Sequence, residues 1–273
     1  VFSEDPFFNE HFIKVNKVKY IHGKLSTKKE MDIIRSRSFS EFYFEFDSTG
    51  KQAKQYLTFR TQSSKKDTTV ITYLYNDKGY ITTKRRNDNY GFYSYNYKLD
   101  TAGNVLKSSY CRDENAGPSK NEFKLGKQYI IVDESFGYQK INDQQFKKKF
   151  YNNYGKAYQE EVSYYNELGY LTEVITRLIV SSKQSRINYE YDERGLVSKK
   201  TDYSSLGGKN ELSYTYKYDN IGNLIEMNTY RNGEHQEKTE ILYDGRMLME
   251  AKLTMDMSTH VISIIKYEYG FYE

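Results

Sequence analysis

The sequence predicts an all-β protein: a long antiparallel meander of β-hairpin repeats, forming a strongly curved, barrel-like or spiral sheet. Three observations carry that expectation. The 273 residues hold 30 Tyr and 15 Phe but no Trp and only two Pro, a composition that favours strands over helices. Aromatic and aliphatic side chains alternate with polar ones through many short runs, the period of a half-buried strand. An Asp or Asn followed three residues later by Gly recurs at roughly 25-residue intervals, within the range of repeat arrays.

In chain order, residues 18–47 read as a long hairpin turning near Lys28–Glu30. Phe42, Phe44 and Phe46 then lead into "FEFDSTG" at Asp47, Ile71, Tyr73 and Tyr75 into "YLYNDKG" at Asn76, and Tyr93, Tyr95 and Tyr97 into "YKLDTAG" at Asp100. After a wide gap the unit returns as "SYYNELG" at Asn166, "YEYDERG" at Asp192, "YKYDNIG" at Asp219 and a shortened "LYDG" at Asp244. The gap offers Asn152 in "FYNNYG" and a blurred copy at Asp133. Clear repeats thus occupy 40–110 and 150–255 of a single domain, 1–273, with 111–150 degenerate. Within that stretch "NDQQFKKKFYN" (142–152) is open between a short helix and an elaborated hairpin.

Each unit has a mechanical reason. Asp or Asn at the first position and Gly at the fourth is the pattern of a type I turn, the side chain closing on backbone N–H groups. The Gly supplies the left-handed conformation that leads into the next strand. The opposite connections, 62–67, 87–91, 181–185, 204–210 and 231–233, share no sequence. One edge of near-identical turns therefore faces one edge of variable loops. About 16–18 strands result, more than a flat sheet tolerates, so the sheet is expected to roll with its tyrosine face inside.

The stretch "YKYDNIGNLIEMNTYRNG" (216–233), nearly repeated by "INYEYDERGLV" (187–197), resembles the YD repeats, also called RHS repeats. The resemblance covers about two-thirds of the chain. It implies exported bacterial proteins whose repeats build a spiralling β-shell, in the large members around a toxin, with a weak association to carbohydrate binding. The segments that end large RHS proteins, including their autoprocessing aspartates, have no counterpart here. The resemblance therefore carries architecture and hardly any activity.

The remaining chemistry is sparse. His11, His22, His235 and His260 stand apart from one another and from the single Cys111, and no metal-binding, phosphate-binding or nucleophile motif occurs. No catalytic, cofactor or metal residues are expected, and ligand-binding residues are unassigned. The turn carboxylates are explained by their turns. A net charge of +4 from 41 basic and 37 acidic residues argues against nucleic acid, and no apolar run is long enough for a membrane helix. A membrane barrel fails on "GLVSKKTDY" (195–203), where Lys199 and Lys200 fall on opposite faces and one would meet lipid. The expectation is a non-enzymatic exported protein of the periplasm or outer surface, with a lipid anchor before residue 1 left open. It would act as a structural or binding module whose partner is an envelope glycan or another envelope protein. The alternative is a carbohydrate-binding protein using its tyrosine face and the variable-loop edge.

Overall fold

A computed structural model describes residues 8–273 apart from 30, 61–65, 89–90, 119–121, 182 and 205–209. Of the variable loops, 62–67, 87–91, 181–185 and 204–210 lie partly or mostly outside the described residues, and only 231–233 is described throughout. The fold is all-β. Eighteen antiparallel strands form one sheet. The first is β1 (Val18–Lys29), followed by β2 (Arg35–Phe46), β3 (Gln52–Arg60), β4 (Lys66–Tyr75), β5 (Ile81–Asp88) and β6 (Gly91–Leu99). Next come β7 (Val105–Asn115), β8 (Leu125–Asn142), β9 (Gln145–Tyr151), β10 (Ala157–Tyr165), β11 (Leu171–Leu178) and β12 (Gln184–Tyr191). The last are β13 (Val197–Ser204), β14 (Asn210–Tyr218), β15 (Leu224–Arg231), β16 (Glu234–Tyr243), β17 (Met249–Asp256) and β18 (Val261–Phe271).

Every strand pairs with its neighbours in sequence, and β1 pairs with β18 from Val18↔Phe271 to Lys29↔Val261, which closes the sheet into a barrel. Eighteen strands about 4.8 Å apart give a girth of roughly 85 Å, too wide for facing walls to touch. That geometry explains how a chain only 37% apolar can fold: the wall needs one covered face, and no filled centre.

The expected turns form along one rim. At Asp47, Asn76, Asp100, Asn166, Asp192 and Asp219 the fourth-position Gly N–H bonds the Asp or Asn carbonyl at 2.8–3.2 Å. In each, the side-chain Oδ1 accepts the N–H groups two and four residues on. Glycines at the fourth position have φ between +77° and +94°. The Asp244 turn is not shortened: Met247, at φ +62°, occupies the left-handed position and donates to the Asp244 carbonyl.

Two other expectations need correcting. Asp133 marks no turn, because it lies inside the 18-residue strand β8. Asn152 does form the turn, but it joins β9 to β10 on the opposite, variable rim. Of the two readings of 142–152 the hairpin holds: Asn142 ends β8, a two-residue turn follows, and Phe146 and Phe150 both point inward from β9, two strand repeats apart. The N-terminal hairpin is present as β1–β2, turning at Lys29–Asp32.

One helix stands among the described residues, α1 (Glu10–Val15). The Asn9 side chain caps it by accepting the His11 N–H at 3.0 Å. Its buried Ile13 belongs to one apolar cluster with Val18, Ile21, Phe44, Phe46, Ile241, Leu248, Met249 and Tyr267. Phe12 and Ile13 also line one cavity with Lys200, Met227, Ile241 and Tyr269, on strands from β13 round to β18, which puts the helix on the concave side of the wall. The helix is therefore a plug inside the uniform-turn end of the barrel.

Candidate functional site: the lumen

Register around the ring separates the two faces of the wall. Inward residues run across adjacent strands as Tyr73–Lys84–Tyr95–Tyr110–Val132 and as Tyr189–Lys200–Tyr214–Thr229. The tyrosine face is the lumen. Its lysines lie on rings: Lys84 Nζ is 5.4 Å from the Tyr73 centroid, Lys200 is 5.5 Å from Tyr214, and Lys148 sits 4.5 Å from Phe136 and 4.8 Å from Phe150. Such contacts offset part of the cost of turning a cation inward.

The outer face carries the ion pairs. Glu226 receives Lys217 at 2.8 Å and Lys238 at 3.5 Å from the two flanking strands. Arg186–Glu173, Lys199–Glu190, Lys107–Asp133 and Lys24–Glu268 repeat the arrangement on other strand pairs. Lys199 thus points outward and Lys200 inward, as the alternation of "GLVSKKTDY" demands. Near the midplane of a bilayer each outward lysine or arginine of such a belt would cost about 2–4 kcal/mol. No helix among the described residues is long and apolar enough to cross a membrane.

The tyrosine that precedes a turn has a task the sequence alone does not disclose. Its hydroxyl donates to a carbonyl two residues past the previous uniform turn: Tyr75 to Gln52 at 2.7 Å, Tyr191 to Leu171 at 2.6 Å, Tyr218 to Val197 at 2.8 Å and Tyr243 to Leu224 at 2.9 Å. Tyr138 and Tyr269 do the same to Val105 and Met249. Asp closes its own hairpin while Tyr ties that hairpin to the one before. Burial raises the phenol pKa of Tyr218 and Tyr243 to about 12, so these groups stay protonated donors.

Two lumenal features remain open. Beneath α1 lies a cavity of about 290 Å³ bounded by Phe8, Phe12, Tyr214, Tyr216, Met227 and Tyr269, with Lys200 and Lys252 among its lining. Elsewhere on the wall Tyr93, Tyr95, Tyr97 and Tyr110 form an aromatic row. Tyr95 and Tyr110 stack with centroids 4.8 Å apart, Tyr93 and Tyr110 at 5.8 Å, and Tyr95 keeps 45% of its surface exposed. On the outer face, a groove of about 660 Å³ at the variable rim runs beside Arg186, Asn188, Tyr203 and Asn232. It is the described part of the loop edge on which binding was expected.

No family model matches the chain, and no curated protein matches it. Among solved structures, it is similar to a porin-like protein from Bacteroides uniformis ATCC 8492, at 13% identity and TM-score 0.43, covering 93% of this chain and 97% of the other. A porin-like protein from Bacteroides vulgatus ATCC 8482 gives 11% identity, TM-score 0.33 and coverages of 90% and 97%. The Photorhabdus luminescens Tc holotoxin pore gives 12% identity and TM-score 0.27, with 84% of this chain matching 15% of that one.

The four histidines stay scattered: His22 lies 3.8 Å from Glu41 on the outer face, and His235 stacks on Tyr230. Cys111 is buried in β7, where loss of solvent pushes its thiol pKa up. Among the described residues no three His, Cys, Asp or Glu side chains converge as metal ligands would.

Proposed function

We propose that this chain is a non-enzymatic, exported envelope protein: a water-soluble YD-repeat shell acting as a structural or binding module. The observation that supports the reading is the polarity of the wall, with ion pairs outside and most of the strand aromatics inside. A shell of that polarity stands in water and keeps its apolar surface for what the lumen holds. The YD-repeat assignment adds the paired roles of Asp or Asn and Tyr at the turns of Asn76, Asp192, Asp219 and Asp244, which give both letters of the motif a mechanical reason. Cell fractionation tests it: the protein is expected in the envelope fraction and, once freed of any anchor, soluble without detergent. Recovery only in detergent would refute the shell.

Carbohydrate binding is the second reading, favoured by the Tyr93–Tyr95–Tyr97–Tyr110 row. Stacked phenol faces open to solvent suit the apolar face of a sugar ring. On a glycan array, binding that disappears in Tyr95→Ala with an unchanged melting curve would support it. Binding untouched by that change, yet lost on altering the rim at Asn232, would move the site to the loop edge.

A further inference from the structure

Among the described residues, the longest stretch of strand without a neighbour on one side lies in β8. Strand β8 is 18 residues long and pairs with β7 from Leu125 to Ser135, but β9 covers only Ser135–Asn142. Residues 125–134 therefore present a bare edge, with no strand on that side among the described residues. A bare edge carries a row of unpaired N–H and C=O groups, and proteins usually guard it with charge or proline. Here it carries four consecutive apolar residues instead: Tyr129, Ile130, Ile131 and Val132 are 54%, 61%, 53% and 46% exposed.

We propose that this edge pairs antiparallel with the same edge of a second copy, joining two barrels about a two-fold axis between Ile130 and Ile131. This inference is independent of what the lumen binds. An isologous contact must be self-complementary, and three features of the segment meet that demand. About that centre, Tyr129 meets Val132, Gln128 meets Asp133 and Lys127 meets Glu134. The apolar residues thus fall in the middle, and opposite charges lie at both ends.

The faces also agree, for a reason that is local to this strand. In an unbroken strand, Tyr129 and Val132 would point to opposite sides. Ile131 is a bulge with no partner on β7, since Tyr110 pairs with Val132 and Cys111 with Ile130. The bulge restores the match: Tyr129 and Val132 both line the lumenal face, opposite Arg112 and Tyr110, and Gln128 and Asp133 both line the outer face, opposite Asp113 and Ser109. The register that centres the apolar residues is the register in which like faces meet. A strand from an unrelated protein would need no such symmetry.

Sedimentation velocity of the purified chain over a wide concentration range tests the proposal, with circular dichroism confirming that each variant is folded. The wild type is expected as a dimer that dissociates on dilution. Ile131→Lys, which sets a cation opposite Ile130 of the second copy on each side of the axis, in the apolar middle of the contact, is expected to weaken the dimer by at least about tenfold. Lys127→Glu, which opposes like charges at both ends, is expected to weaken it as well, and added salt to restore part of the loss. Amide hydrogen exchange of residues 126–134 should slow as dimer forms. A monomer at every concentration, or a dimer that survives Ile131→Lys unchanged, would overturn the proposal.

Discussion

Alanine at three turn glycines should separate backbone strain from lack of space. Gly169, Gly195 and Gly50 hold nearly the same conformation, at φ +80°, +77° and +88°, but meet different surroundings. A side chain on Gly169 would touch nothing within 4 Å. Gly169→Ala should therefore cost only the left-handed backbone penalty, about 1–2 kcal/mol. On Gly195 the new Cβ would lie 2.3 Å from Tyr170 Oη and 2.8 Å from its Cζ. The Tyr170 ring is itself packed against Tyr191 with centroids 4.9 Å apart. Overpacking adds about 1–3 kcal/mol, so Gly195→Ala should cost about 2–5 kcal/mol in all. Gly50 meets backbone: its Cβ would stand 2.6 Å from the Glu10 carbonyl oxygen and 2.9 Å from Lys14 Cβ, both in α1. Gly50→Ala should match or exceed Gly195→Ala and also loosen the plug. Urea unfolding gives the assay, as a shift in midpoint at constant slope. Adding Tyr170→Leu to Gly195→Ala should return most of its excess over Gly169→Ala. Equal losses at all three sites, or no rescue by Tyr170→Leu, would refute the reasoning.

Two further outcomes follow from named contacts. Tyr218→Phe removes the 2.8 Å bond to the Val197 carbonyl and should cost about 1 kcal/mol, read as a lower urea midpoint with an unchanged lumen. Hydrogen bonds from Lys217 and Asn228 hold the Glu226 carboxyl down at a pKa of about 2. A depressed carboxylate stabilises the fold fully above its unfolded pKa and loses that contribution as pH falls through the folded value. The wild type should therefore lose stability between about pH 4.5 and 2 more steeply than Glu226→Gln, in melting curves taken across that range.

The sequence by itself determined what local rules govern. Alternation set strand after strand, and Asp or Asn with Gly three residues on set six turns, because a turn needs only its own few residues to close. The same logic put most of the strand tyrosines on one face, and it put Lys199 and Lys200 on opposite faces. Where the pattern bent, short-range reading failed. Met247 sits in the place of a glycine at the Asp244 turn, and Asn152 makes the standard turn on the other rim, since a motif fixes its own shape and not the strand end to which it is attached. Six residues are too few for α1 to show a helical period, and burial of Ile13 in the lumen holds it. Only the tertiary structure decided the rest. Closure depends on β1 meeting β18, with Lys24 on Glu268 across 244 residues, and no local pattern records so distant a pairing. The turn tyrosines gained their partners for the same reason, each hydroxyl reaching a hairpin its own strand does not form. The bare edge of β8 arises because β9 stops at Tyr151 while β8 continues, a difference in length that acquires meaning only when the strands lie side by side.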